Sequence, residues 1–354
     1  MDCNRQSVSS FDIDYDTPRC NRAKLDTGTF CNYDCEFCYY KELLHEVTSF
    51  EVIKDRADKI HQYGIKEVDL SGGESSVHRQ WFDILDYCNE RFDHISTLSN
   101  GQRFANEKFL LKSKEHGLKE ILFSVHGYDE ESHDTIVQRK GAWKKIHQAI
   151  ELCHKHDIIV RVNCTVYQLN YEGLDTYHEV IEKIKPLEVN FLTLNYWTNN
   201  KHAEPIDYPV VTEYIKRCID RIKTFVKYIN VRYTPYCYMK GYEEYVCDLY
   251  QHIYDRYDWE VGIYDLVAGD VPVYDYDIDL SKQYTEKQKI DNAYRAAERV
   301  RLRDYKKPAN CLLCKYFYIC DGIEHQVKKC EVQPEKGEKI TDVNHFRKGF
   351  YEGT

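Results

Sequence analysis

The sequence predicts an α/β protein built on a parallel sheet, and two observations carry that expectation. Between about residue 25 and residue 230, six short apolar runs alternate with amphipathic segments. Helix after strand, repeated, gives parallel strands joined by crossover helices. Polar and cysteine-containing clusters fall where the runs end, which is where a β/α barrel keeps its active site. Rolled up, six such units make a full or partial β/α barrel.

Taken in order, the expected strands are 25–31, 67–71, 94–98, 120–125, 158–166 and 188–195. The clearest helix follows the sixth, where Val211, Ile215, Cys218, Ile222, Phe225 and Ile229 recur at alternating steps of four and three, one stripe of a helix. Beyond the sheet, 261–280 is rich in Asp and Tyr and reads as a solvated face or edge strand, or as a lining of the substrate entrance. A charged helix is expected over 284–303.

Composition narrows the function. A chain of 354 residues has ample length to bury a core, and it contains no apolar run long enough to span a membrane. Met1-Asp2-Cys3-Asn4-Arg5 lacks the basic-then-apolar pattern of a signal peptide, so the expected location is cytoplasmic. There the 15 cysteines read as metal ligands and buried thiols rather than disulfides. A net charge of -10 offers no basic excess for a phosphate backbone, so nucleic acid is not an expected partner. The 31 tyrosines and two methionines carry no functional argument.

Chemistry concentrates at the expected strand ends. Cys31, Cys35 and Cys38 are spaced C-x3-C-x2-C on one loop, and three thiolates can hold three corners of a four-iron cluster while leaving the fourth iron open. Zinc would want a fourth protein ligand, and positions 39 and 40 are tyrosines. Ser71-Gly72-Gly73-Glu74 follows the second strand, where paired glycines let a backbone approach a ligand and a carboxylate can accept from an ammonium. Ser99-Asn100-Gly101 and Ser124-Val125-His126-Gly127 end the third and fourth strands, and Arg161 and Asn163 lie on the fifth. Cys164 alternates with Asn163, so it points either into the barrel, as a hydrogen-atom donor to a substrate radical, or against a helix.

These motifs resemble the radical S-adenosylmethionine (radical SAM) superfamily over residues 25 to 230: Cys31, Cys35, Phe37 and Cys38 as CxxxCxΦC, Gly72 to Glu74 as GGE, and Ser124 to Gly127 as a family-like Ser-x-His-Gly. The resemblance implies a partial (β/α)6 TIM-like barrel whose [4Fe-4S] cluster binds S-adenosylmethionine at the open iron. It implies reductive cleavage to methionine and a 5′-deoxyadenosyl radical that abstracts a substrate hydrogen. Gly72, Gly73 and Glu74 would steady the methionine ammonium, Ser124 and Asn163 would contact ribose or carboxylate, and the backbone around Phe37 and Tyr39 would pack beside adenine. An electron donor such as a flavodoxin or ferredoxin is implied as partner.

A second cysteine group follows in 231–354, after an N-terminal extension (1–24) and the core (25–230). Cys237 and Cys247 flank a turn, and Cys311-Leu312-Leu313-Cys314 is followed by Cys320 and Cys330. The tail resembles the SPASM or Twitch extensions that carry auxiliary iron-sulfur clusters. The leading expectation is one auxiliary [4Fe-4S] cluster on Cys237, Cys247, Cys311 and Cys314, with Cys320 a spare ligand and zinc the competing occupant. Two departures from full SPASM stand out: Glu324 occupies the place of the next cysteine, and Gly241 precedes Cys247 by one residue too many.

Cys88, Cys153 and Cys218 fall on apolar helix stripes and read as core, whereas Cys3 and Cys20 read as exposed. His126 ends a strand and reads either as a structural histidine or as a substrate or cofactor contact. His78, His94, His116, His154 and His156 read as surface. With the first strand starting near Leu25 there is no room for a leader-binding winged domain. The expected substrate is therefore a small molecule such as a sugar, nucleoside or amino acid, with a ribosomally made peptide as the alternative. A non-catalytic iron-sulfur or zinc scaffold is the competing class.

Overall fold

A computed structural model of the chain describes residues 12–38, 40–41, 46–194, 206–259, 278–325, 327 and 331–350. Its centre is a sheet of seven parallel strands in sequential order, alternating with helices on the outside: β1 (Arg22–Asp26), α1 (Phe50–Tyr63), β2 (Glu67–Ser71), α2 (Trp81–Asn89), β3 (His94–Ser99), α3 (Glu107–Glu115), β4 (Leu118–Ser124), α4 (Glu130–Ile136), α5 (Ala142–Lys155), β5 (Ile159–Val166), α6 (Leu174–Ile184), β6 (Glu188–Thr193), α7 (Tyr208–Ile222) and β7 (Tyr228–Arg232). The first and last strands do not pair, so the sheet is a curled half-barrel, as expected, but with seven strands rather than six.

The extra strand lies where the apolar stripe after β6 was expected to continue as helix. α7 stops at Ile222, Phe225 is 43% exposed, and Ile229 is buried on β7. The first strand also shifts. β1 begins three residues early and ends at Asp26, because the backbone from Thr27 to Phe30 leaves the ladder to pack against the turn after β2. The sheet therefore runs from Arg22 to Arg232, and both expected domain boundaries fall inside strands.

Successive side chains of a strand point to opposite faces. Ala23, Leu25, Val68, Leu70, Ile121, Phe123, Val162 and Val231 are buried in the apolar layer under the helices. The alternate positions are polar: Arg22, Asp69, Glu120, Arg161, Glu188 and Asn230, all buried. They form a charged lining, with Arg22 to Glu120 at 2.7 Å, Arg22 to Asp69 at 3.0 Å, Arg161 to Glu188 at 2.9 Å, and Arg161 also paired with Glu120. His94, expected at the surface, joins this lining at 3.0 Å from Glu120. Burial works to raise the Glu120 carboxyl, but the Arg161 and Arg22 guanidiniums prevail and hold it well below the usual carboxylate range.

The chain after β7 packs into the same lining. Arg161 donates to the Tyr257 carbonyl at 2.9 Å, Trp259 Nε1 to Asp69 at 2.8 Å, and Arg347 to Asn230 at 2.7 Å. Cys20 is likewise buried, its thiol donating to the Asp258 carbonyl at 2.8 Å, not exposed as expected. Beyond lie α8 (Leu249–His252), the expected charged helix as α9 (Glu286–Asp304), and a short antiparallel pair, β8 (Tyr305–Lys306) with β9 (Ile323–Glu324). The Asp- and Tyr-rich stretch lies outside the described residues except for 278–280. No helix among the described residues is long and apolar enough to cross a membrane.

Replacing Glu120 by Gln leaves two buried guanidiniums short of a counter-charge, which costs about 3–5 kcal/mol. Denaturant unfolding at pH 7 is expected to show that loss. Because the folded carboxyl is depressed, its contribution is present above its unfolded value of about 4.3 and disappears as pH falls. The variant should thus be less acid-sensitive than the parent.

Candidate functional site

The loop carrying Cys31, Cys35 and Cys38 is built on a backbone contact. The Gly73 N–H donates to the Gly28 carbonyl and the Glu74 N–H to the Phe30 carbonyl, both at 2.9 Å. Gly72 has φ +128°, open to glycine, and a Cβ there would collide with the Gly28 carbonyl oxygen. A Cβ on Gly73 would collide with that of Phe30. The glycine pair was expected to admit a ligand; in the structure the chain's own 28–30 segment occupies that close approach.

Every other strand end near the loop ties into it. Glu74 is fully buried and accepts from Ser76 Oγ (2.5 Å), Ser99 Oγ (2.9 Å) and the Asn100 N–H (2.7 Å). Burial pushes its carboxyl up, against the pull of those donors. Asn100 bridges onward to Asn32 Oδ1 at 2.7 Å and lies 3.9 Å from the Cys31 sulfur. Glu36 donates its N–H to the Ile136 carbonyl at 3.1 Å, fastening the loop to the end of α4. Phe37 stands edge-on to the His126 and Tyr167 rings, centroids 4.7 and 5.5 Å away. Asn100, absent from the expected contacts, is thus the residue that joins Glu74 to the cysteine loop.

The three thiols face one another closely enough to interact: burial pushes Cys35 far up, and Cys38 and Cys31 push it further. Cys31 rises to about 12, through burial and then Glu74, while the Tyr33 N–H points at its sulfur from 3.4 Å. Cys38 is raised by burial against the pull of the Tyr40 N–H. Half-buried thiols of this kind give up their protons to a metal, which supplies the missing charge. Ser124 and Asn163 are register partners at the ends of β4 and β5. Asn163 Oδ1 is buried with no hydrogen-bond partner, and such an atom calls for one. Three convergent thiols and an orphaned acceptor suit a cluster with a polar ligand beside it.

His126 is neutral. Burial lowers it to about 3, and its Nδ1 accepts from the Thr165 N–H at 3.1 Å, which leaves the ring proton on Nε2. Cys164 belongs to the other face of β5. It is fully buried in the helix-facing apolar layer beside Tyr177 of α6, with burial raising its thiol to about 12. That orientation removes the hydrogen-donor reading. Cys88, Cys153 and Cys218 are core, as expected. His78 is buried, not surface, its Nε2 at 3.0 Å from the Thr48 carbonyl. Tyr39 and Cys330 lie outside the described residues.

In the C-terminal region Cys237, Cys311, Cys314 and Cys320 line one cavity, together with Lys307 and Phe317. The Cys314 N–H closes a turn on the Cys311 carbonyl at 2.9 Å, and the Cys320 N–H reaches Tyr316 at 2.9 Å. Cys247 is elsewhere: its sulfur is 3.4 Å from Asp255, with Arg347 and Arg232 close by. Of the expected quartet the structure brings Cys237, Cys311 and Cys314 to this cavity, joined by Cys320, and places Cys247 outside its lining. Spacing misled because Cys247 pairs its backbone with Val231 of β7, a strand the sequence reading missed. Among the described residues no three Cys, His, Asp or Glu side chains stand close enough to share a single metal ion.

Residues 25–184 match the family described as the radical SAM superfamily. They are a radical SAM domain. The superfamily binds a [4Fe-4S] cluster and S-adenosylmethionine. The chain is 28% identical over 211 residues to the antilisterial bacteriocin subtilosin biosynthesis protein AlbA of Bacillus subtilis, covering 56% of this chain and 46% of that one. To the sporulation killing factor maturation protein SkfB of the same organism it is 27% identical over 162 residues, 45% of this chain and 38% of that one. The chain spans less than half the length of these two relatives. Two solved structures share the fold at 14% identity. Streptococcus suis SuiB bound to precursor peptide SuiA has a TM-score of 0.55, covering 83% of this chain and 69% of that one. Native anSMEcpe with bound AdoMet and Cp18Cys peptide has a TM-score of 0.52, covering 94% and 96%.

Gly73→Ala is expected to cost about 1–3 kcal/mol in denaturant unfolding, the usual penalty for overpacking. Gly337→Ala, whose new methyl meets Lys315 at an ordinary 3.4 Å, should stay within about 0.5 kcal/mol.

Proposed function

We propose that the chain is a radical SAM enzyme that reductively cleaves S-adenosylmethionine at a [4Fe-4S] cluster on Cys31, Cys35 and Cys38, and that its substrate is a peptide. The carrying observation is the loop itself: three thiols, hydrogen-bonded through Gly73, Glu74 and Asn100 to the ends of β2 and β3 at the half-barrel mouth. When bound, the cluster and its cofactor supply a 5′-deoxyadenosyl radical that abstracts a substrate hydrogen.

The chain's own residues do the positioning. The turn at Gly72 to Glu74 would offer backbone carbonyls to the methionine ammonium, braced by the buried Glu74 carboxylate that Ser76, Ser99 and the Asn100 N–H hold. Asn163 Oδ1, orphaned and buried, accepts from a ribose hydroxyl beside Ser124. Phe37, wedged against His126 and Tyr167, sets the loop backbone that would flank adenine. The Cys237, Cys311, Cys314 and Cys320 set holds an auxiliary [4Fe-4S] cluster. The peptide reading rests on AlbA and SkfB, whose names attach them to a bacteriocin and a killing factor. A small molecule is the second reading, favoured by a GTP 3′,8-cyclase of Thermoplasma volcanium, 28% identical over 189 residues. A cytoplasmic flavodoxin or ferredoxin is the proposed electron donor.

After anaerobic reconstitution, dithionite and S-adenosylmethionine should yield 5′-deoxyadenosine from the parent and none above background from Cys35→Ala; equal yields would sink the reading. In the same preparations Cys320→Ala should hold about four fewer irons per chain than Cys247→Ala. The reverse order would restore the set first expected from spacing.

A further inference from the structure

Two lysines bracket the cysteine cavity of the C-terminal region. Lys307, immediately after β8, lines the cavity and donates from Nζ to the Phe317 carbonyl. Lys339 comes from the segment beyond Cys320 and donates to the carbonyls of Leu312 and Cys314, the latter at 2.9 Å. Both side-chain nitrogens sit over the same Phe317 ring, 4.7 and 4.6 Å from its centroid. Burial and then Arg301 lower Lys307 to about 7, and burial lowers Lys339, so it is an anionic group in the cavity that would hold both in their charged forms. Lys307 is close enough to interact with Cys320 and Cys311, and Lys339 with Cys314 and Cys311. Among the described residues no carboxylate lines the cavity. The neighbouring carboxylates, Asp248 and Asp321, are each taken up by a backbone N–H, of Asp321 and Leu249 respectively, at 2.9 Å.

Electrostatics gives this arrangement a consequence. Four thiolates around an oxidised four-iron core leave a dianion, and one added electron makes a trianion. A cation a few ångströms away stabilises the trianion more, because the interaction scales with the product of the charges and is strengthened in a low-dielectric setting. Hydrogen bonds, net charge and exposure are the levers that set such potentials. Both lysines also grip carbonyls of the loop that presents Cys311 and Cys314.

We infer that Lys307 and Lys339 are positioning residues that raise the reduction potential of an iron-sulfur cluster held by Cys237, Cys311, Cys314 and Cys320. The inference rests on the auxiliary-cluster reading above. The step concerned is the gain of one electron by the cluster from a low-potential one-electron donor, with no proton taken up and no bond formed or broken.

The test uses the full chain carrying Cys31→Ala, Cys35→Ala and Cys38→Ala, so that only the C-terminal set binds iron. It is reconstituted with iron and sulfide and titrated with dithionite while the spin signal of the reduced cluster is followed. In this background, Lys307→Met and Lys339→Met should each shift the midpoint to more negative potential. The double variant should shift further, and Lys307→Arg and Lys339→Arg should stay near the parent. Unshifted midpoints in iron-loaded Met variants would overturn the inference. Loss of iron from the Met variants, whether or not the Arg variants keep it, would show a clamp on the loop rather than a charge effect and would overturn the inference. A background protein that binds no iron, or keeps zinc instead, defeats the auxiliary-cluster reading before any lysine is compared.

Discussion

The close approach of two backbones, Gly72-Gly73 against Gly28 to Phe30, is the constraint on which the rest of the mouth depends. It forbids side chains at two adjacent positions and, through two 2.9 Å hydrogen bonds, fixes where the cysteine loop leaves β1. Once that exit is fixed, Glu74 lies under the loop, Asn100 reaches both Glu74 and Asn32, and Phe37 meets His126. A loop held at so many points presents its sulfurs in one arrangement, and pre-organised ligands cost little to order when metal arrives.

The half-barrel supplies the rigid base for this. Its lining is charged rather than apolar, and a buried ionic network is weak evidence for stability, because desolvation opposes the attraction. Its effect here is to join parts of the chain far apart in sequence. Arg22, Glu120, Arg161 and Glu188 link β1, β4, β5 and β6, while Tyr257, Trp259 and Arg347 bring the C-terminal region into the same lining. The second cysteine set is thereby built on a region fastened to the sheet.

Much of this was legible in the sequence. Periodicity placed five of the six expected strands to within two residues, the first being shifted, and the cysteine, GGE and Ser-x-His-Gly clusters stood at strand ends because side chains there are what a parallel sheet offers to a ligand. β7 was missed because Ile229 happens to continue the helical stripe of α7, a pattern that periodicity alone cannot break. The charged lining was not read from the sequence, because Arg22 and Lys24 fell outside the first strand as expected and the polar alternation of Glu67 and Asp69 fits a solvated face equally well. Which cysteines meet in space was not legible, since Cys247 and Cys320 differ by tertiary placement and not by spacing. The same is true of Cys164, where strand alternation offered two faces and only the packing against Tyr177 chose between them.

In the proposed function the first cysteine loop leaves one iron open to S-adenosylmethionine. The most direct measurement is electron-nuclear double resonance of the reduced, reconstituted protein with S-adenosylmethionine carrying an isotopically labelled methionyl carboxylate. A hyperfine coupling from the label is expected in the parent chain and none in Cys35→Ala. A cluster spectrum without any coupling to the label would contradict it.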